Sequence, residues 1–246
     1  MFDARLSGWF LGESGQLCEG FLIRGEDTVI DVGCGSGGMS DFAAACGAEV
    51  IATDVDGEKT ETLEQRLRLS RARAFRTIVS DSNPLPLADG IASKVICMEV
   101  LEHVEDPRRL LAELVRVGRP GAQYLISAPD PFSESVQRRV APQCYWESPN
   151  HLHVFQRDEL DALVQEAGLV IESRPAHFFY WFMWWILFWG AGGVYQFGEP
   201  EGKAAVLDHW NKTWHALLSN ANGRRVAKAL NELMPKSNVL VARKAA

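Results

Sequence analysis

At 246 residues the chain is long enough to bury a full core within one main domain. Its 32 acidic residues outnumber 25 basic ones, and the resulting net charge of -7 leaves no electrostatic footprint for a nucleic-acid partner. The five cysteines, Cys18, Cys34, Cys46, Cys97 and Cys144, form no CxxC pair and no metal-ligand spacing, so no metal is expected, and scattered thiols fit a reducing compartment. Asp3 and Arg5 fall where a signal peptide would need an unbroken apolar core, so the protein is expected in the cytoplasm.

In chain order, GWFLGESGQLCEGFLI (8–23) places Phe10 and Leu11 before an expected helix with Leu17, Phe21 and Leu22 on one side, so 1–24 reads as an N-terminal helical segment. TVIDVG (28–33) is a short apolar strand that stops at glycines. SGGMSDFAAACG (36–47) follows with Met39, Phe42, Ala43 and Cys46 at helical spacing. EVIATDV (49–55) is a second buried strand, 56–69 an amphipathic helix and RAFRTIVS (73–80) a third strand. SKVICMEV (93–100) is the fourth, followed by a helix over 106–121 closed by Gly-Arg-Pro-Gly, then strand AQYLISAP (122–129). A helix over 156–169 and strands over 170–178 and 238–244 complete the set. Continuous apolar strands alternating with amphipathic helices predict a mostly parallel α/β sheet covered on both faces.

Two segments break the alternation. The loop 130–155 is rich in Pro, aromatic residues and His. The stretch 179–237 holds an apolar run and two further helices, with Val206, Trp210, Trp214, Leu217 and Leu218 on one face of the first and Val226, Leu230, Leu233 and Met234 on one face of the second.

Chemistry gathers where strands end. Asp31-Val32-Gly33-Cys34-Gly35-Ser36-Gly37-Gly38 links the first strand to the first helix, and glycines there let a ligand approach backbone N–H groups at a helix N-terminus. Asp54 closes the second strand roughly 20 residues on, where a carboxylate receives ribose hydroxyls. No Gly-Lys-Ser/Thr ending is present and the turn reads GCGSGG, so the expected ligand is a nucleoside that needs no pyrophosphate clamp. Asp81-Ser82 ends the third strand, placed to meet an adenine amino group, and Met98-Glu99-Val100-Leu101-Glu102-His103 ends the fourth.

IDVGCGSGG, TDVD, SDSNPLPLADG, CMEVLEHVEDPRRLLAELVRVGRPGAQYLISAP and HVFQRDELDALVQEAGL, in this order, resemble the class I S-adenosylmethionine-dependent methyltransferases. Within that group they are similar to the small-molecule branch that includes the ubiquinone-biosynthesis O-methyltransferases. The resemblance implies a Rossmann-like, doubly wound, mostly parallel seven-stranded sheet, with residues 25–178 and 238–246 as core and 179–237 as a helical, aromatic-rich insertion between its sixth and seventh strands. It implies S-adenosylmethionine as cofactor and S-adenosylhomocysteine as product. Asp31 would hydrogen-bond near the methionine moiety, Gly33, Cys34, Gly35 and Gly37 would approach with their backbone, and Asp54 would hold the ribose. Val55 would pack on adenine, Asp81 and Ser82 would read its edge, and Glu99 would lie beside the methyl-bearing sulfonium.

An acceptor that keeps a proton needs a base, and a neutral His suits that task near neutrality. His103, His151 and His153 are the candidates. Since alternate residues of an extended piece point opposite ways, at most one of His151 and His153 can face a pocket. Tyr145 and Trp146 are expected in its wall.

The run FFYWFMWWILFWG carries nine aromatic side chains. Its purely apolar part, 178–189, is too short for a transmembrane helix of about 20 residues, and it lacks the Lys/Arg-rich face of an in-plane helix. A transmembrane helix, disfavoured by that length, an aromatic patch dipping into headgroups, a self-contained cap and a lid whose wall, including Phe179 and Trp181, binds an apolar acceptor compete. The lid is the preferred reading. The expected activity is O-methylation of a phenolic, quinol-like or lipid-linked molecule, with N- or C-methylation of a natural-product precursor, a non-catalytic binding or scaffold subunit, or a protein or RNA methyltransferase as rivals. Peripheral membrane contact and a homodimer are the further partner expectations.

Overall fold

The computed structural model describes residues 15–147, 150–196, 199–201 and 205–245. Two short strands, β1 (Gln16–Cys18) and β2 (Phe21–Leu22), open the described chain as an antiparallel pair. This corrects the helix expected there. Gly15 and Gly20 adopt left-handed φ values of 70° and 88°, and Ile23 N–H donates to the Gly15 carbonyl, so the glycines turn the chain back on itself instead of letting a helix propagate. Phe10 and Leu11 lie outside the described residues.

The main sheet is built from β3 (Thr28–Val32), β4 (Glu49–Asp54), β5 (Ala74–Val79), β6 (Ala92–Met98), β7 (Gly118–Pro129), β8 (Leu169–Ser173) and a last strand, Ser237–Lys244. A small hairpin, β9 (Val194–Gln196) with β10 (Glu199–Glu201), precedes that last strand, which is therefore β11. The order across the sheet is β5-β4-β3-β6-β7-β11-β8, with β11 antiparallel to both neighbours and the other pairs parallel. This is the Rossmann-like class I topology. Successive side chains point to opposite faces, so Ile30 and Val95 join one buried cluster while Val29 and Ile96 join the other.

Helices α1 (Gly38–Ala45) and α2 (Gly57–Leu67) cover one face through Phe42, Ala43, Leu63 and Leu67. Helices α3 (Pro107–Val117) and, after the short α4 (Pro131–Gln137), α5 (Arg157–Glu166) cover the other through Leu110, Leu114, Leu160 and Val164. Side-chain acceptors start them: Asp56 takes the N–H groups of Glu58 and Lys59, Asp106 that of Arg109 and Asp130 that of Phe132. Two expected boundaries move. The helix over 106–121 ends at Val117, because Gly118 is already extended and pairs with Ala92, and the strand over 170–178 ends at Ser173.

The aromatic run is helix α6 (Phe179–Gly190), followed by α7 (Ala205–Leu218) and α8 (Ala221–Leu233). Among the described residues no helix is long and apolar enough to cross a membrane. Phe178 precedes α6 in a left-handed conformation, φ 77°, and has no side-chain acceptor to offer the first turn. Asn231 supplies it from α8, its Oδ1 accepting the Phe179 N–H at 2.9 Å in a buried setting. Phe179, Tyr180, Phe182 and Trp214 form the interior of this cap, with Trp210 and Leu230 packed against them.

The inward face of α8 differs from the expected one. Gly223, Ala227 and Asn231 are buried, whereas Val226 and Leu233 are exposed, Leu233 by 71%. A Cβ on Gly223 would fall 1.7 Å from the Leu217 carbonyl oxygen, so the helices meet backbone to backbone and only small residues fit the seam. Val206 of α7 likewise turns outward.

Removing the Asn231 acceptor leaves the Phe179 N–H buried and unpaired, which costs about 1–3 kcal/mol. Asn231→Ala is therefore expected to lower the denaturant midpoint by that equivalent, while Asn231→Asp, which keeps an acceptor oxygen, stays closer to wild type in the same unfolding titration.

Candidate active site

The carboxyl ends of β3, β4, β5 and β6 stand side by side, and the turn after β3 is tied to the end of β4. Cys34 N–H donates to the Thr53 carbonyl at 2.9 Å, and Gly35 N–H donates to Asp54 Oδ2 at 2.8 Å. The second Asp54 oxygen accepts the Asp56 N–H, so the carboxylate is fixed by backbone on two sides. Gly33 needs its glycine, since a Cβ there would sit 2.4 Å from a Val100 methyl at a φ of 67°. Around Gly35 an added Cβ would meet nothing within 4 Å among the described residues. Gly37, also left-handed, begins α1 beneath Arg66, whose guanidinium donates to the Ser36 carbonyl and pairs with Asp41.

Asp31 lies behind this turn, fully covered, with Ser40 Oγ donating to its Oδ2 at 2.6 Å. Burial pushes its carboxyl up to about 6, against the Ser40 hydrogen bond, and the nearby Asp54 and Asp41 add to the rise. Val55 stands 71% exposed next to Asp54. Asp81 is exposed and accepts the Asn83 N–H, while Ser82 is buried at a φ of 62°. Cys34 is buried and its thiol is pushed well above its ordinary range by that burial, with Asp31 and Asp54 contributing, so it acts as an apolar wall and not a nucleophile.

At the end of β6 the backbone of Glu99 turns left-handed, φ 57°, and aims its carboxylate at two donors. Ser127 Oγ donates to Oε1 at 2.7 Å, and Lys236, just before β11, donates to Oε2. Burial works against ionisation of Glu99, but the Lys236 ammonium outweighs it and holds the carboxyl below its usual range. Lys236 in turn stays charged despite its own burial because Glu99 and Glu102 face it. Glu102 is entirely buried with no hydrogen bond to either carboxylate oxygen among the described residues, and burial, then the Glu99 charge, raise its pKa well above the ordinary carboxyl range.

The sequence candidates divide clearly. His103 and His151 come together, ring centroids 5.1 Å apart, beside Glu102. One ligating atom from each of the three lies within 4.8 Å of the others, a spacing at which they could share a cation. His103 Nδ1 faces the Asn150 carbonyl at 3.0 Å, and His151 Nδ1 faces Glu134 Oε2 at 2.9 Å. His153 points the other way. Its Nε2 reaches the Val104 carbonyl at 2.9 Å, and it lines an outer groove with Asp106, Arg108 and Glu159.

Tyr145 is buried against His151, ring centroids 4.5 Å apart, and against Trp189 of α6. Trp146 lies under the Arg138 guanidinium. Trp181 packs both into the cap and against the sheet cluster that contains Cys34 and Met98. Phe179 sits inside the cap with only 6% of its surface exposed, its ring on Trp214, and so forms cap core instead of cleft wall. Ser127, Glu134, Gln137 and Lys236 were not anticipated from the sequence. Glu102 lay in the quoted EVLEHV signal without a role, and Lys236 is 137 residues from the glutamate it pairs with, beyond any local pattern.

A methyltransferase-domain family model matches residues 11–174. A Mycobacterium tuberculosis protein named Probable S-adenosylmethionine-dependent methyltransferase is 30% identical over 142 residues, 58% of this chain and 48% of that protein. A Ubiquinone biosynthesis O-methyltransferase of Methylococcus capsulatus is 35% identical over 40% of this chain and 41% of its own. The chain thus spans about half the length, or less, of these curated relatives. Among solved structures, a geranyl diphosphate methyltransferase in complex with SAM aligns over 91% of this chain and 80% of its own, with a TM-score of 0.58 at 18% identity, a likeness of fold. The order of the sheet, the glycine turn locked to Asp54 and the match over 11–174 agree, and the chain belongs to the methyltransferase-domain family.

Proposed function

We propose that this protein transfers the methyl group of S-adenosylmethionine to a hydrophobic small molecule, by O-methylation of a phenolic, quinol-like or lipid-linked acceptor. The observation that carries the reading is the open cradle at Gly35, next to a carboxylate already aligned by backbone at the end of β4. The residues present fit the cofactor. Bare backbone at Gly35 leaves room for its amino-acid part, Asp54 offers oxygens to ribose hydroxyls, and exposed Val55 offers an apolar surface to adenine. When bound, the cofactor supplies an electrophilic methyl on a cationic sulfur.

The work left to the protein is alignment and proton management. Fixing an acceptor at near-attack distance is worth ~7–11 kcal/mol. The carboxylates of Asp31 and Asp54 beside the crevice favour a cationic ligand, and two imidazoles, His103 and His151, stand near the strand end to take a hydroxyl proton. The aromatic cap supplies the apolar side of the acceptor site: Trp181 spans cap and sheet, and Tyr145 joins α6 to His151. A lipophilic acceptor of this class also supports peripheral contact with a membrane surface, as do exposed Val226 and Leu233 on α8 beside Arg225 and Lys228.

S-adenosylhomocysteine at a hundred times its Kd is expected to stabilise the wild type by about 2.7 kcal/mol in a thermal-shift titration. Asp54→Ala should lose most of that shift. Equal shifts in both proteins sink the Asp54 assignment, and an acceptor series in which polar phenols outperform alkylated ones sinks the apolar acceptor.

The pH dependence follows from Asp31. Its carboxyl is raised to about 6, so it is ionised above that pH and neutral below it, and the attraction it lends to a cationic amino group fades as pH falls through 6. Calorimetric titration with S-adenosylhomocysteine should show affinity falling from pH 7.5 to 5.5 in wild type. Asp31→Asn should bind weakly at both, with a flatter profile.

A further inference from the structure

A buried chain of hydrogen bonds runs from the aromatic helix to His151, and none of its inner members was anticipated from the sequence. The Trp189 indole N–H, which can only donate, meets Gln137 Oε1 at 3.1 Å. That fixes the Gln137 amide, whose NH2 then donates to Glu134 Oε1 at 3.2 Å. Glu134 Oε2 faces His151 Nδ1 at 2.9 Å. Gln137 and Glu134 have essentially no exposed surface, and the His151 side chain is 8% exposed. The indole, which has no acceptor capacity, sets the Gln137 amide to donate to Glu134, and because an ionised carboxylate only accepts, a neutral His151 facing its other oxygen would carry the proton on Nδ1 and keep a lone pair on Nε2.

We infer that Glu134 is a positioning residue that pins His151 in the Nδ1–H tautomer, with Gln137 and Trp189 holding Glu134, and that His151 Nε2 is the base for an acceptor hydroxyl. This rests on the proposed O-methylation. In the step, the acceptor oxygen bonds to the methyl carbon, the C–S bond breaks with its electron pair left on sulfur, and the hydroxyl proton passes to Nε2. The imidazolium so formed is offset by the Glu134 carboxylate. Tyr145, Trp146 and His103 pack around the same ring, centroids 4.5, 6.2 and 5.1 Å away, so its plane is held by contact on several sides. Glu102, buried and without a hydrogen bond among the described residues, lies in the same cluster.

The test reads the tautomer directly. Long-range 1H–15N spectra of the full chain at about pH 8, above the ordinary imidazole range, with His151→Gln for assignment, should show the His151 proton on Nδ1. Glu134→Gln leaves one acceptor oxygen where two donors point, so the preference for Nδ1–H should be lost. Turnover of an alkylated catechol probe should fall by about 10²-fold, with its KM and the S-adenosylhomocysteine thermal shift unchanged. Trp189→Phe, which removes only the indole donor, should act in the same direction to a smaller extent. A wild-type spectrum with the proton on Nε2 overturns the inference, as does an unchanged tautomer in both variants or wild-type turnover in Glu134→Gln. A wild type that binds S-adenosylhomocysteine yet methylates no phenolic probe overturns the proposed acceptor instead, while the spectra still decide the role of Glu134.

Discussion

The switch of direction between β3 and β6 is the constraint from which the rest follows. From β3 the chain builds outward through β4 and β5, then returns to lay β6 and β7 on the opposite side, so two neighbouring parallel strands send their following loops apart. That divergence opens a crevice at their carboxyl ends. The glycine turn, Asp54 and the Glu99 corner border it because each directly follows a strand that the sheet aligns. The register pairs Asp31 with Ala52 and Ile96, which sets the depth of the crevice floor.

Around that crevice the protein concentrates carboxylates and treats each differently. Asp54 is held by two backbone N–H groups, Asp31 is buried against one hydroxyl, Glu99 is neutralised by Lys236, and Glu102 has no hydrogen-bonding partner for its oxygens among the described residues. Water is too distant to level such differences in a buried setting, so environments set proton affinity individually. One fold can thereby keep anions ready for a cationic ligand beside groups that accept or retain protons. Strongly perturbed acids gathered at a strand end are where candidate functional sites are sought.

The sheet and its covering helices were legible because their signals are local: apolar runs ending at glycine or aspartate, and helical spacing between capping residues. So were the strand-end positions of Asp54 and the glycine turn, which depend on nearby sequence. Long-range partners were not. Nothing near Glu99 announces Lys236, and nothing near His151 announces Glu134, because those contacts are made by chain crossings. The hairpin at 16–22 was read as a helix since Leu17, Phe21 and Leu22 also fit helical spacing, and only the left-handed glycines decide between the two. On α8 an apolar stripe at Val226 and Leu233 drew the eye, yet close backbone approach at Gly223 made small residues the buried ones.

The two ends of the cap meet at one place. His177 bridges to Ser237, and Lys236 N–H donates to the His177 carbonyl, so the whole excursion from α6 to α8 leaves and rejoins the sheet through a single neck. For a loop already closed at its base, doubling the enclosed length adds only ~0.6 kcal/mol of closure entropy. Evolution can therefore exchange the contents above such a neck, lengthening or replacing helices, while the strands below keep their pairing. Divergent substrate preference across relatives sharing one catalytic platform would then be a matter of grafting above the neck, and protein engineers have the same junction available for chimaeras.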